Sequence, residues 1–150
     1  CFILATVFGH SYRMRSYLLV NNFVYTAIKK KKLTLFEPHF RRNFIHVRDV
    51  VNAIIFTMRN FNRLKNNVYN LGLSSANISK IMLAKKIQKQ YKKLSIKIVT
   101  KRRDPDKRDY FVSNKKIEKK GFKAKISLED GISELIQIFT NDKNKVINNY

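Results

Sequence analysis

The chain has 150 residues, enough for one folded domain with its own hydrophobic core. Its single cysteine, Cys1, excludes an internal disulfide, so we expect a reducing compartment, the cytoplasm. No apolar run approaches the roughly 20 residues of a membrane-spanning helix, and we expect no membrane insertion. The first residue is Cys rather than Met, which favours a chain that starts inside a folded unit.

Charge is the most unusual bulk property. Lys and Arg number 32 against 10 for Asp and Glu, a formal net charge of +22. Such an excess favours nucleic acid or an anionic membrane as a partner. Lys, Asn and Ile are all abundant, however, and a coding sequence rich in A and T would add these residues to any fold.

The first sixty residues predict alternating strands and helices. The apolar run over residues 1–8 ends at Gly9 and is typical of a strand buried on both faces of a parallel sheet. Residues 17–28 repeat apolar side chains at helical spacing, and the four lysines at 29–32 favour a helix end. The remaining elements are strands over 33–36 and 44–47 and a helix from Val50 to about Met58, capped by Asp49.

The alternation continues to the end of the chain. Residues 68–72 predict a strand, and 74–77 supply caps for an amphipathic helix over 78–91 with Ile78 and Met82 facing inward. A strand over 95–99 and a polar loop over 101–110 are predicted next. A short helix follows, capped by Ser113 or Asn114 and ended by Gly121. The last elements are a helix over 127–139, with Ser127 and Asp130 in capping-box spacing, and a frayed tail over 141–150.

Alternation of this kind predicts an α/β fold with a parallel sheet. In such folds ligands usually bind beyond the carboxyl ends of the strands. That rule selects residues 6–9, 41–42, 46–49 and 70–72 as candidate positions for a binding site.

Seven segments in a fixed order resemble a known family. They include "ATVFG" (5–9), "RRNFIHVRDVVNAI" (41–54), "VYNLG" (68–72) and "DPDKRDYFVSNKKIEKKGFKAKISLEDGI" (104–132). Together they resemble the carboxyl-terminal part of the extended short-chain dehydrogenases/reductases, and more narrowly the NAD-dependent nucleotide-sugar epimerases and dehydratases. The resemblance implies an incomplete Rossmann-type NAD-binding fold with a smaller substrate-binding subdomain, over residues 1–140.

The resemblance also implies what an intact enzyme needs. Such an enzyme binds NAD through a glycine-rich turn, holds a nucleoside-diphosphate sugar, and transfers a proton through a Tyr-x-x-x-Lys pair. The chain has four glycines, none in that arrangement, and its one formal match, Tyr25 with Lys29, lies on a predicted helix and is interpreted as chance. We therefore expect a fragment that binds the nucleotide sugar and is inactive and poorly stable alone. A homodimer is the oligomer considered for the intact enzyme.

Three residues are the main substrate-binding candidates by this resemblance. Arg42 occupies the place of a family Arg that faces the diphosphate, and a guanidinium offers that group paired, charge-assisted donors. Asn70 aligns with a family Asn near the substrate. Arg108 matches a family Arg that closes over the diphosphate from a late loop. For each, a purely structural role remains the alternative: a solvated arginine, a strand end and a loop surface.

Further candidates are less specific. Asn21 and Asn22 interrupt an apolar helical face, where a buried amide needs partners, and the family often has a polar group here that touches the sugar phosphate. Thr6 lies where the family's strand end meets the sugar and the nicotinamide, so it is a candidate for both substrate and cofactor. Arg13 and Arg15 either approach the substrate or coat a loop.

The polar residues of "FIHVRD" favour structural roles. His46 lies between two apolar residues and is expected to pack in the core, and Asp49 is expected to cap a helix. Three scattered histidines and one cysteine do not support a zinc site.

Two other functions remain open from the sequence. A basic nucleic-acid-binding module would explain the charge and would use Tyr and Phe for stacking, although no nucleic-acid motif accompanies the lysines. A noncatalytic scaffolding remnant would keep the substrate side of the fold without its chemistry.

Overall fold

The structure, a computed structural model, describes residues 1–99 and 108–141. Seven strands and six helices alternate along this part of the chain, which confirms the α/β class. The strands are β1 (Phe2–Leu4), β2 (Thr6–Phe8), β3 (Lys32–Phe36), β4 (Arg41–His46), β5 (Tyr69–Leu71), β6 (Asn77–Ser79) and β7 (Ser95–Val99). The helices are α1 (Leu19–Lys30), α2 (Val47–Arg59), α3 (Phe61–Leu64), α4 (Lys80–Gln90), α5 (Lys115–Glu118) and α6 (Leu128–Asn141).

Three strand pairs are parallel and one is antiparallel. β1 pairs with β5, β2 with β4 and β3 with β7, all in parallel, whereas β4 and β6 are antiparallel. In the β2–β4 pair, Thr6 lies opposite Phe44 and Phe8 opposite His46. The two strands therefore end side by side at Phe8 and His46, where Gly9 and the start of α2 follow.

Two hydrophobic clusters hold these elements together. The larger one joins α1, α4 and α6 to β2, β3 and β4 and is centred on side chains such as Val24, Ile87 and Leu135. The smaller one lies between α2, β5 and α5 and includes Ile45 and Leu71. In both clusters the apolar faces of helices pack against strands, the arrangement that periodic sequences predict.

The first predicted strand differs from its prediction. It is two short strands separated by Ala5, and it is not buried on both faces, since Ile3 is 57% and Leu4 is 48% exposed. The physical reason is that the described residues give β1 a strand partner, β5, on one edge only. The apolar exposure predicted for this strand is observed, whereas the poor stability predicted with it stays a prediction.

The helix predicted over 78–91 begins later. Ile78 is buried on β6 rather than on the helix, and Ser79 caps α4 by accepting a hydrogen bond from the Met82 backbone N–H. Ser74–Ala76 forms a 3₁₀ turn instead of supplying the cap. Met82, predicted to face inward, is exposed because Leu83 takes the buried position.

Two helix ends also differ from expectation. The cap of α2 is His46, whose Nδ1 accepts from the Arg48 backbone N–H, and not Asp49. Asp49 is buried in the first turn. Ser127 does precede α6, with its Oγ accepting from the Asp130 backbone N–H at 3.0 Å, so that part of the predicted capping box is confirmed.

The remaining expectations concern Gly121, Tyr25, two segments near the end of the chain and membrane-spanning helices. Gly121 follows α5 with a φ of +99°, the conformation that glycine adopts readily past a helix end. Tyr25 lies on α1 against the ring of Phe139. The loop over 101–107 and the tail over 142–150 lie outside the described residues. Within the described residues no helix is long and apolar enough to cross a membrane.

Candidate functional site

One short segment contacts most of the predicted substrate-binding residues. Residues 109–113, which we call the strap, run as irregular backbone from Asp109 towards α5, across β2, β4, β5 and β6. Backbone without a strand partner needs other hydrogen-bonding groups, and side chains of the neighbouring strands provide them.

The start of the strap is bound by Arg41, the first residue of β4. Both the backbone N–H and the Nε of Arg41 donate to Oδ1 of Asp109, at 2.8 and 3.2 Å. The backbone N–H bond and the guanidinium bond favour the charged carboxylate and hold the pKa of Asp109 below its usual value. Tyr110 in turn donates its backbone N–H to the carbonyl of Arg41 at 3.4 Å.

Two asparagine amides bind the end of the strap. Asn77 accepts from the backbone N–H of Val112 at 2.9 Å through Oδ1, and its Nδ2 donates to the carbonyl of the same residue at 3.0 Å. Asn70 donates through Nδ2 to the carbonyl of Ser113 at 3.2 Å. The amides thus take the place of a neighbouring strand along this irregular segment.

Arg42 lies beneath the strap. Its side chain is on β4, only 3% of the residue is exposed, and Nη1 donates to the carbonyl of Arg41 at 2.8 Å. The guanidinium carbon is 5.3 Å from the ring centre of Tyr110, within the range of a cation–π contact. The hydroxyl of Tyr110 is 3.5 Å from that of Thr6 on β2. Tyr110 therefore connects Thr6 and Arg42.

The predicted substrate-binding residues lie at two separate places in the structure. Thr6, Arg42 and Asn70 all contact the strap, and Arg108, exposed, directly precedes it. Arg41 and Arg42 are the first residues of a strand rather than a loop beyond a carboxyl end, because β4 pairs there with β6.

Asn21 lies at the other place, beside Gly9 at the end of β2. It is buried and accepts from the Gly9 backbone N–H at 3.1 Å, while Nδ2 donates to the carbonyl of Arg15 at 3.2 Å. Asn22 is exposed on α1. A cavity of about 230 Å³ adjoins Asn21 and Gly9, and Arg13 and Arg15 are part of its lining.

The glycines do not form a phosphate-binding turn. A Cβ on Gly9 would lie 2.4 Å from Nε2 of His46, and one on Gly72 would lie 1.7 Å from Oδ1 of Asn43. A Cβ on Gly131 would meet the ring of Phe8 at 2.3 Å. Close packing within the protein accounts for these three, and Gly121 ends α5. The glycines present therefore do not fit the pyrophosphate of NAD.

A buried histidine lies at the carboxyl edge of β4. His46 is fully buried, packs edge-on against Phe8, and has Nε2 3.4 Å from a carboxylate oxygen of Glu134, which Arg48 also contacts. Burial lowers the pKa of His46, and the charge of Glu134 only partly opposes that effect. Packing in the core, as the sequence predicts, is confirmed. The described residues contain no cluster of side chains able to hold a metal ion.

Sequence reasoning missed the residues that organise the strap. Asp109 was not singled out, and Asn77 was interpreted as a helix cap. Both act on backbone 35 or more positions away in the chain, so no local pattern marks them.

The comparison with protein families gives one match. Residues 1–72 match the model of the NAD dependent epimerase/dehydratase family. The matched part runs from β1 to β5 and includes Thr6, Asn21, Arg42 and Asn70. It ends before the strap.

Solved structures extend the likeness to most of the chain. UDP-glucose 4-epimerase from Thermotoga maritima, solved with UDP-glucose, is 21% identical with a TM-score of 0.75, covering 95% of this chain and 46% of its own. UDP-glucuronic acid 4-epimerase from Bacillus cereus, solved with UDP-glucuronic acid and NAD, is 17% identical with a TM-score of 0.78, covering 93% and 44%. dTDP-glucose 4,6-dehydratase from Bacillus anthracis, solved with NAD, is 22% identical with a TM-score of 0.74, covering 95% and 44%.

These likenesses establish a shared Rossmann-like α/β fold, and the chain spans less than half the length of each of these proteins. Together with the family match over residues 1–72 they confirm the resemblance predicted from the order of the sequence segments: this chain is similar to NAD dependent epimerases and dehydratases in its first half and in its fold.

Proposed function

We propose that this chain supplies the nucleotide-sugar-binding part of an NAD-dependent epimerase or dehydratase, with Arg42 as the diphosphate ligand. The observation that carries the proposal is that Thr6, Arg42 and Asn70, on three different strands, all contact the strap. The family match over residues 1–72 supports the same assignment.

The chemistry of Arg42 suits a diphosphate. A guanidinium presents paired donors to phosphate oxygens, and such charge-assisted bonds are stronger where water is excluded. Tyr110 covers the guanidinium in this structure, with 3% of Arg42 exposed. A diphosphate therefore reaches Arg42 when the side chain of Tyr110 turns away. Arg108, directly before the strap, would then close over the diphosphate.

The cofactor is proposed to be held mainly by another part of the enzyme. NAD would supply the hydride transfer when bound. Thr6 is the one cofactor-binding candidate on this chain, and the four glycines of the chain do not fit a pyrophosphate, since three of them are engaged in close packing. We expect no turnover of UDP-glucose by this chain alone, because the Tyr-x-x-x-Lys pair required by the family resemblance is not in its sequence in the corresponding place.

Calorimetric titration of the chain with UDP-glucose tests the proposal, with UMP as a ligand lacking the second phosphate. We expect saturable binding that Arg42→Ala weakens about 10-fold or more, the effect of losing a hydrogen-bonded charge pair. Arg42→Lys keeps the charge but loses the paired donors, and it should bind more weakly than the wild type. Arg59→Ala, an exposed arginine on α2, is the matched control. Equal affinity of the wild type and both Arg42 variants, with all proteins folded, would refute the proposal.

The charge of +22 makes a nucleic-acid control necessary. Fluorescence anisotropy with a random duplex at physiological salt should give weak binding, with no change in Arg42→Ala. Submicromolar affinity with a steep dependence on salt would instead support the basic nucleic-acid-binding module.

A further inference from the structure

Lys80 is the one buried lysine among the described residues. It begins α4, and only 3% of the residue is exposed. Its backbone N–H donates to the carbonyl of Phe40 at 3.0 Å, and its Nζ lies 5.1 Å from the centre of the Phe40 ring. Lysine is seldom buried, because removing an ammonium group from water is costly. Helix formation alone does not explain why the side chain of Lys80 lies inside the protein.

Lys80 and Arg42 lie on the same face of the β4–β6 pair. Arg42 is opposite Ile78 in this antiparallel pair, and the bond from Lys80 to Phe40 continues the register by two residues. Residues opposite each other share a face, and so do alternate residues along one strand. Arg42 and Lys80 are therefore diagonal neighbours, which in antiparallel pairs are roughly 7–8 Å apart.

Both cations are held against aromatic rings in a region with little water. Arg42 is 3% exposed and lies under the ring of Tyr110, as Lys80 lies over that of Phe40. Like charges at this separation repel each other, and the repulsion is stronger where water is excluded. A ligand group that carries two neighbouring negative charges would attract both cations at once.

The backbone at the start of α4 does not provide an anion site of its own. The N–H of Ile81 donates to the carbonyl of Pro38 at 2.9 Å, and the N–H of Met82 donates to Oγ of Ser79 at 3.4 Å. These donors are used within the protein. An anion beside Lys80 would therefore be held by side chains, and its selection would depend on their charges.

We propose that Lys80 is the second cation of the diphosphate site, with Arg42 binding one phosphate of the nucleotide sugar and Lys80 the other. This rests on the function proposed above, since it requires that a diphosphate reaches Arg42. The guanidinium offers paired donors to one phosphate, and the ammonium acts as a point charge on the next. Two cations select a ligand with two linked phosphates over a monophosphate.

Calorimetric titration of the chain with inorganic pyrophosphate and with inorganic phosphate tests the inference, because pyrophosphate has the two linked phosphates without base or sugar. We expect the wild type to prefer pyrophosphate. Lys80→Met, which removes the charge from a side chain of similar size, should lower that preference about 10-fold or more. Lys85→Met, exposed on the same helix, is the matched control and should leave the preference unchanged.

The ratio of the two affinities separates binding from a purely structural role, which would change both affinities alike. Circular dichroism checks the fold, and Lys80→Gln gives the same comparison if Lys80→Met is unfolded. An unchanged ratio in a folded Lys80 variant overturns the inference, and so does an equal fall in Lys85→Met. With UDP-glucose, weaker binding by Arg42→Ala but not by Lys80→Met would refute this inference alone. Unchanged binding by Arg42→Ala would refute the proposed function.

Discussion

An ordinary surface helix buries apolar side chains and exposes polar ones. Helix α2 instead buries a carboxylate on the side that faces the chain and exposes apolar side chains on the opposite side. The inner face carries a buried carboxylate, Asp49, which accepts hydrogen bonds from the backbone N–H groups of Lys125 and Ile126 at 3.0 and 2.9 Å. The opposite side of the helix, which we call the outer face, carries four exposed apolar side chains: Val51, Ile54, Ile55 and Met58. The inner face is buried against the rest of the chain, whereas the outer face leaves large apolar side chains exposed. Substitutions on the two faces should therefore have very different consequences for folding.

The largest effect is expected on the inner face. Asp49→Ala removes the acceptor of two backbone N–H groups next to α6 and should lower the free energy of unfolding by about 2–3 kcal/mol. Urea denaturation measures the change, with Asn52→Ala, exposed on the same helix, as control. A loss below about 0.5 kcal/mol would show that these bonds are not important for the fold.

A smaller effect is expected at the strap. Asn77→Ala removes both amide bonds to Val112 and should cost about 1–2 kcal/mol. Amide hydrogen exchange should become faster at Val112 and stay unchanged in α2. Asn62→Ala, exposed on α3, is the control. Unchanged protection of Val112 in Asn77→Ala would contradict the assignment of Asn77 as an anchor of the strap.

Acid should lower the free energy of unfolding through His46, the residue that caps α2. Burial lowers its pKa in the folded chain, so the unfolded chain takes up the proton more readily. Stability should be constant above the ordinary pKa of about 6.5 and fall as pH decreases below it, no more steeply than about 1.4 kcal/mol per pH unit. Urea midpoints between pH 8 and pH 5 measure this, and His46→Asn should flatten the curve in that window. Parallel curves for both proteins would exclude His46 as the cause.

The smallest effect on stability is expected on the outer face. Ile54→Glu with Ile55→Glu should change the free energy of unfolding by less than about 0.5 kcal/mol, because both side chains are already exposed in the chain. The same double substitution should reduce binding of a hydrophobic fluorescent dye, and Met82→Glu on α4 should not. A large loss of stability would mean that Ile54 and Ile55 are already covered within the chain.

Local patterns in the sequence predicted most of the fold. Apolar periodicity located the helices that contain Val24, Ile87 and Leu135, and runs of apolar residues located β3, β4, β5 and β7. The predictions were wrong where contacts between residues far apart in the chain determine the local structure. Ile78 continues the apolar period of α4 but pairs with Arg42 on β4, so it belongs to a strand.

The candidate site was predictable only through family resemblance. Thr6, Arg42 and Asn70 were selected by their positions in family-like segments, and their contacts with the strap depend on residues far along the chain. Asp49 was assigned to the nearest helix end because its partners, Lys125 and Ile126, are more than 70 residues away. Side chains that bind distant backbone leave no periodic signal.

The most direct test of the central claim is a nuclear magnetic resonance titration of the chain with UDP-glucose, following backbone amides and the arginine Nε–H groups. Our account predicts shifts confined to Thr6, Arg42, Asn70, Lys80 and residues 108–113, with α2 unchanged. Shifts elsewhere, or none up to millimolar ligand, would contradict a nucleotide-sugar site beneath the strap.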